Sequence, residues 1–239
     1  MNESNDKLIY TYDNAISPLL CKTIIDMYEK TDNKYNGVTS GGYNPDFKDT
    51  IDFVIPTNDL KWEKIYTFLN KELAKNLKKY FISLKNFDFY NENNENNENN
   101  EKNIKITYFG NFLQYDSFMI QKYFQNKGKF KYHHDFQCDY EKSRFRIITF
   151  LFYLNDVEEG GETEIWGNIR IKPTAGKLLL FPASWTYPHC GKMPISSDKY
   201  IITGWIYVNH NHYVENRINK IIQDNKNNIN ENNDTNKNG

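Results

Sequence analysis

The chain has 239 residues, 38% of them hydrophobic and 16% aromatic, which is enough to bury one sizeable core. Its net charge of -1 gives no overall attraction to phosphate backbones, so nucleic acid is not an expected partner. The three cysteines are too few for a disulfide framework, the N-terminus is polar, and no apolar run approaches the roughly 18 residues of a membrane span. These features predict a cytoplasmic or otherwise intracellular protein with no membrane association.

The first predicted elements are a short strand at 8–12 and a helix. Ser17 is a typical N-cap and Pro18 a typical first helical residue, and the helix is expected to end at about Glu29. Four apolar residues form its predicted buried face: Leu19, Ile24, Ile25 and Tyr28.

Residues 32–56 are rich in Gly, Asn and Asp and predict a loop over the mouth of a site, with one strand near 51–55. A long amphipathic helix is predicted from Asp59 to about Phe81, packed on the outside of the domain. Apolar residues at helical spacing form its predicted buried face: Trp62, Ile65, Tyr66, Leu69, Leu73 and Leu77. This periodicity is typical of core packing rather than of cofactor binding.

Two segments consist largely of Asn, Glu and Lys: residues 91–103 and the tail after about Gln223. Both have almost no apolar side chains, so neither can offset the entropy that ordering costs. We expect both to be disordered, and neither to have a binding role.

The second half of the chain contains several short β-prone runs separated by turns. An apolar run at 146–154 predicts a buried strand, and the glycines near 160 predict a turn. Further strands are predicted at 169–171, 177–182 and 199–208. Short strands of this kind indicate a sandwich or jelly roll, so we predict a mainly β fold with flanking helices and a double-stranded β-helix core.

His133, His134 and Asp135 are consecutive, and residues 1–132 contain no histidine. On a β-strand, positions i and i+2 face the same side, so His133 and Asp135 can converge on one ion while His134 points away. His189 is a third candidate ligand. Two histidines and one carboxylate on one face of an octahedron leave the opposite positions open, which is the arrangement of non-heme Fe(II) oxygenases.

In these features the chain resembles the 2-oxoglutarate and Fe(II)-dependent dioxygenases, and within them the prolyl 4-hydroxylase-like branch. The resemblance is best over residues 118–208. It rests on the order and spacing of four elements besides the triplet: Ile120 to Tyr123, Tyr153 to Thr163, His189 with Lys199 ten residues later, and Gly204 to Ile206.

The resemblance implies that His133, Asp135 and His189 are catalytic residues that bind Fe(II). The co-substrate 2-oxoglutarate and O2 would take the open positions, and oxidative decarboxylation would yield succinate and CO2 as a C–H bond is hydroxylated. Lys199 matches the anchor of the far carboxylate of 2-oxoglutarate, as the point charge that an ammonium provides. The resemblance also implies that Tyr123 and Thr163 donate hydroxyl hydrogen bonds to that carboxylate. Ascorbate is the expected reductant.

Several of these residues have a simpler structural interpretation. His134 is expected to be structural. Lys199 could be an ordinary surface lysine at the start of a strand, and Tyr123 could be one core aromatic among 18 tyrosines. Arg146, near the start of the central strand, could face either substrate or solvent. His210 and His212 are expected to be solvated loop residues.

The predicted organisation is one catalytic domain with four parts: a helical and strand support region at 1–90, the insertion at 91–103, the jelly-roll core at 104–213, and a helix start with the tail at 214–239. No oligomeric state is predicted.

Three classes of function remain open. The leading one is an oxygenase that hydroxylates prolyl residues in a protein or peptide. The second is an oxygenase acting on a small molecule, another side chain or an alkylated base, since fold does not fix substrate. An alkylated base is disfavoured, because that branch uses arginines after the distal histidine and only Arg217 follows His189 here. The third is a jelly-roll binding module that has lost its metal.

Two stretches depart from the hydroxylase pattern. Residues 48–50 lack the arginine and serine expected of the closest prolyl hydroxylases, and residues 185–188 differ from their usual approach to the distal histidine. These departures bear on recognition of a peptide rather than on the iron chemistry.

Overall fold

The computed structural model describes residues 6–84, 113–115, 117–209 and 218–223. The segment at 91–103 and the tail after Gln223, both predicted to be disordered, lie outside these residues, as do His210 and His212. The proposed division of the chain into four parts stays a prediction.

The named elements of the described residues follow in chain order: β1 (Tyr10–Tyr12), α1 (Pro18–Glu29), β2 (Tyr35–Asn36), β3 (Lys48–Asp49), β4 (Ile51–Val54), α2 (Leu60–Leu84), β5 (Leu113–Tyr115), β6 (Met119–Tyr123), β7 (Lys129–His133), β8 (Cys138–Asp139), β9 (Arg144–Tyr153), β10 (Thr163–Ile165), β11 (Ile169–Ile171), β12 (Leu178–Pro182), β13 (His189–Gly191) and β14 (Lys199–Asn209). Residues 218–223 form one more short helical segment. No helix among the residues described has the length and apolar character needed to cross a membrane.

Two antiparallel sheets make up the β core. The major sheet has the order β1-β12-β9-β14-β6-β4-β2, with β5 also paired to β14 and β8 to β9. The minor sheet has the order β11-β10-β13-β7-β3. This mainly β architecture with two flanking helices confirms the predicted jelly-roll fold.

The main hydrophobic core lies between the major sheet and the two helices. Helix α2 contributes its predicted apolar face, in which Leu69 and Leu73 are fully buried against sheet residues such as Phe150 and Ile202. Gly204 allows close packing at the centre of the sheet, because a Cβ there would lie 2.5 Å from the Phe150 ring. The core therefore fixes β9 and β14, the two longest strands, against the helices.

Helix α1 begins and ends where the sequence predicts. Ser17 accepts a hydrogen bond from the Leu20 amide at 3.3 Å and caps the helix. The prediction that Leu19 is buried is wrong, since its side chain is 77% exposed and Cys21 is buried instead. Leu19 precedes Cys21 by two residues, so helical geometry directs it away from the side of α1 that carries Cys21, Ile24 and Tyr28.

Helix α2 offers a direct test of the core. Leu69→Ala should lower the free energy of unfolding by roughly 2 to 5 kcal/mol, because it leaves a cavity against the sheet. Leu60→Ala on the same helix should change it by less than about 0.5 kcal/mol, since Leu60 is 85% exposed. Urea denaturation of both variants measures the difference, and equal losses would mean that α2 does not pack as described.

Candidate metal and co-substrate site

Three potential metal ligands converge between the sheets. His133 ends β7, His189 begins β13, and the two are direct partners across the antiparallel pair. The Nε2 atoms of His133 and His189 lie 3.5 and 3.4 Å from the two carboxylate oxygens of Asp135. One ligand atom from each residue lies within 4.8 Å of the others, so a single ion can contact all three.

The convergence arises differently from the strand geometry expected. Strand β7 ends at His133, so Asp135 does not lie on it. Residues 134–137, which belong to no helix, strand or turn, follow the strand, and in them the Asp135 carboxylate is buried while His134 is exposed. His133 and Asp135 therefore meet at the end of the strand, with Asp135 in the irregular segment that follows it.

Backbone carbonyls fix the direction of both imidazole rings. Nδ1 of His133 lies 2.7 Å from the Lys131 carbonyl, and Nδ1 of His189 lies 3.0 Å from the Tyr187 carbonyl. A carbonyl can only accept, so each Nδ1 must carry the proton. Each Nε2 faces Asp135, and once it has lost its own proton it presents the lone pair that a metal ligand requires.

Thr149 on β9 is a further polar contact of the Asp135 carboxylate. Thr149 was not predicted as a site residue from the sequence. Its hydroxyl donates to Oδ2 of Asp135 at 2.7 Å. Burial alone would raise the pKa of Asp135, but the charge of His189 and hydrogen bonds from both imidazoles hold that pKa well below its usual value. Asp135 is thus an anion. The only clue in the sequence was one polar residue within an apolar strand.

Lys199 is a buried cation beside this group. Its side chain is 1% exposed, and no carboxylate lies within 4 Å of its ammonium among the residues described. Nζ donates to the Gly161 carbonyl at 2.9 Å and lies 3.8 Å from the centre of the Tyr123 ring. Burial lowers the pKa of Lys199 to about 7. The interpretation of Lys199 as a surface lysine is wrong.

The other two residues expected to bind co-substrate lie close by. Tyr123 on β6 is the direct partner of Lys199 on β14, and its side chain is buried. Thr163 begins β10, and its hydroxyl accepts a hydrogen bond from the buried Tyr153 hydroxyl at 2.7 Å. Tyr153 was not predicted as a site residue, because nothing in its apolar strand distinguishes it from other core aromatics.

A cavity of about 780 Å³ joins these groups, and Arg146 lies in its wall. The Arg146 guanidinium stacks 3.5 Å above the Trp205 ring, and Nε donates to the Tyr207 hydroxyl at 3.3 Å. Of the two alternatives for Arg146, the structure places it toward the cavity. Lys48 also lines the cavity, at the place where the sequence departs from the prolyl hydroxylase pattern.

Comparison with known proteins agrees with this geometry. Residues 118–207 match the model of the 2OG-Fe(II) oxygenase superfamily. A search of the curated proteins found no match.

Solved structures give the same fold at low identity. The chain is similar to a viral collagen prolyl hydroxylase from Paramecium Bursaria Chlorella virus-1 in complex with 2OG, with a TM-score of 0.55, 16% identity, and 84% of this chain and 96% of that one covered. A Pseudomonas putida prolyl-4-hydroxylase is similar with a TM-score of 0.54 and 12% identity, and the match covers 83% of this chain and 91% of that one. The third structure is a Trichoplax adhaerens prolyl hydroxylase in complex with a hypoxia inducible factor oxygen degradation domain peptide fragment. Its TM-score is 0.59 at 19% identity, and the match covers 85% of each chain.

The fold and the family match agree with each other. Residues 118–207 of the chain match the 2OG-Fe(II) oxygenase superfamily, and the described residues have the fold of the prolyl hydroxylases named above.

The buried Lys199 should reduce the stability of the protein without ligands. A lysine whose folded pKa is about 7 binds fewer protons than it does unfolded, so the free energy of unfolding should rise as pH increases from about 7 to 10. Lys199→Met should therefore stabilise the metal-free protein at pH 7 by roughly 1 to 4 kcal/mol, and this gain should shrink toward pH 10. Urea denaturation at both pH values tests it, and a gain that does not depend on pH would contradict the argument.

Proposed function

We propose that this chain is an Fe(II)- and 2-oxoglutarate-dependent hydroxylase of prolyl residues in a protein or peptide. One observation carries the proposal: a His-Asp-His group faces the same cavity as a buried lysine that lacks a carboxylate partner among the residues described. The first part suits a divalent iron ion, and the second suits the far end of a dicarboxylate.

In this proposal His133, Asp135 and His189 are the iron ligands. Two imidazoles and one carboxylate on one side of the ion leave positions open for co-substrate and O2. The geometry supports the assignment because both Nε2 atoms and the carboxylate point to one place. Thr149 and the Lys131 and Tyr187 carbonyls orient these ligands, as outer partners do in other metal sites.

Lys199 is proposed to pair with the far carboxylate of 2-oxoglutarate. A buried ammonium costs free energy unless an anion compensates it, so an incoming carboxylate restores a charge pair. Tyr123 and Thr163, which line the same cavity, can donate hydroxyl hydrogen bonds to this carboxylate. When bound, iron and 2-oxoglutarate supply hydroxylation of a C–H bond by O2, with release of succinate and CO2. We include ascorbate as the reductant that keeps the metal ferrous.

A peptide substrate is supported by the neighbours and by the cavity. The similar solved structures are prolyl hydroxylases, and one holds a peptide fragment. Here Val38, Thr39 and Phe47, from the segment predicted to be a loop over the site, line the cavity together with Trp205. An extended segment that contains proline can enter with little loss of conformational entropy, because the proline φ is already fixed.

The metal assignment predicts a clear split among neighbouring residues. His133→Ala, Asp135→Ala and His189→Ala should each abolish Fe(II)-dependent succinate formation and lower the iron content of purified protein. His134→Ala should retain most of both, because its side chain is exposed and is not part of the group formed by the three ligands. Loss of iron from a folded His134→Ala protein would show that the ligand set is wrong.

The anchor assignment predicts a large and specific loss of co-substrate affinity. Lys199→Ala should weaken 2-oxoglutarate binding by the roughly 3 to 5 kcal/mol expected when a buried charge loses its partner. Lys172→Ala is the matched control, because Lys172 pairs with Glu158 at the surface. Anaerobic calorimetry with Fe(II) measures both.

The pH dependence of binding follows from the same charge. Because the pKa of Lys199 is about 7 before an anion binds, 2-oxoglutarate affinity in the unmodified protein should fall as pH rises above 7, by at most about tenfold per pH unit. Affinity that stays constant between pH 6 and 9 would argue against Lys199 as the anchor.

The substrate is tested with a proline-containing peptide library. Incubation with enzyme, Fe(II), ascorbate and 2-oxoglutarate should add one oxygen to proline, with one succinate formed per turnover, and mass spectrometry locates the oxygen. Oxidation of a free amino acid or an alkylated base, with no hydroxyproline in any peptide, would replace the peptide substrate by a small molecule.

A further inference from the structure

A buried chain of polar groups runs along the cavity wall to Tyr123. It begins with the ion pair of Lys48 and Asp52, whose Nζ and Oδ2 atoms lie 2.6 Å apart. Thr50 donates to the other oxygen of Asp52 at 2.8 Å, and Gln121 Nε2 donates to Oδ2 at 3.3 Å. The Gln121 amide oxygen then accepts from the Tyr123 hydroxyl at 3.3 Å. The iron and co-substrate assignments above use none of these residues except Tyr123.

The charge of Asp52 sets the direction of hydrogen-bond donation along this series of polar groups. Residues Lys48, Asp52 and Gln121 are at most 3% exposed, so water does not replace their contacts. A carboxylate paired with an ammonium only accepts hydrogen bonds, so the Gln121 amide must turn its nitrogen toward Asp52. Its oxygen must then face Tyr123. The flipped amide would place two acceptors together in a buried space, which is costly.

Tyr123 has a single proton to donate. Burial raises the pKa of Tyr123, so its hydroxyl stays neutral. In this series of hydrogen bonds the Tyr123 proton points to Gln121, and the lone pairs of the Tyr123 oxygen face away from Gln121. Gly37 closes the network from the outside, because a side chain there would collide with the Thr50 hydroxyl. The arrangement is thus held by packing as well as by charge.

We propose that Gln121 is a positioning residue that weakens co-substrate binding by holding the Tyr123 proton away from the incoming carboxylate. The inference rests on the proposed function, in which Tyr123 donates to 2-oxoglutarate. A carboxylate needs a donor, so the Tyr123 hydroxyl must turn as 2-oxoglutarate binds. Turning breaks the bond to Gln121 and leaves two oxygen acceptors facing each other. Gln121 thereby sets how much 2-oxoglutarate the enzyme needs.

The test is a gain of affinity, which damage to the fold does not produce. Gln121→Met removes the acceptor at nearly constant shape, so the dissociation constant for 2-oxoglutarate should fall about fivefold, the usual worth of one neutral hydrogen bond. Gln121→Leu serves as a second variant if the methionine protein does not fold. Anaerobic calorimetry with Fe(II) gives the constant, and thermal unfolding reports on folding separately.

Two comparisons make the result specific. In a Tyr123→Phe background, Gln121→Met should leave the affinity unchanged, because there is no proton left to release. Thr50→Val is the matched control, since it removes another hydrogen bond to Asp52 without touching Tyr123, and it should not tighten binding. Unchanged or weaker binding in folded Gln121→Met overturns the inference alone. Absence of 2-oxoglutarate binding in the unmodified protein overturns the proposed function and this inference with it.

Discussion

The pairing of β13 with β7 is the constraint on which the candidate site depends. It places His189 directly opposite His133, and no covalent link holds the two residues together. Side chains alternate between the faces of a strand, so a slip of one residue would turn one imidazole away from Asp135. On the other side of β13, β10 adds Thr163, which is paired with Gly191. These two pairings of β13 therefore position two candidate ligands and a residue proposed to contact the co-substrate.

Buried polar groups in and behind the cavity wall are stabilised in two different ways. Asp135, Asp52 and Gln121 are buried with hydrogen-bond partners, so the protein itself compensates their desolvation. Lys199 is buried against the Gly161 carbonyl and the Tyr123 ring, and no carboxylate of the described residues lies within 4 Å of its ammonium. The first three groups find their partners within the protein, whereas the charge of Lys199 would be compensated by a bound anion. Such a site is organised before the ligand arrives, at the expense of stability.

The sequence predicts the elements better than the contacts between them. Helical spacing and the Ser17 cap locate both helices, because these depend on neighbours in the chain. The triplet with His189 suggests the metal group for chemical reasons. Thr149 and Gln121 could not be predicted, because each acts through a partner brought close by the fold: Asp135, in the segment after β7, and Asp52, across the pair of β4 and β6. The prediction that Leu19 is buried was wrong for a related reason: tertiary packing decides which face of α1 lies against the sheet.

The pairing of β7 with β13 is irregular, because β7 has one residue more than β13 over the same stretch. Two steps on β13, from His189 to Gly191, face three on β7, from His133 to Phe130. The extra residue lets Phe130 stack on the His133 ring at 3.6 Å and leaves the Lys131 carbonyl directed at Nδ1 of that ring. Removing one residue here would make the ladder regular while separating the imidazole from the groups that orient it. The site is therefore expected to tolerate substitutions along β7 better than the insertion or deletion of a residue.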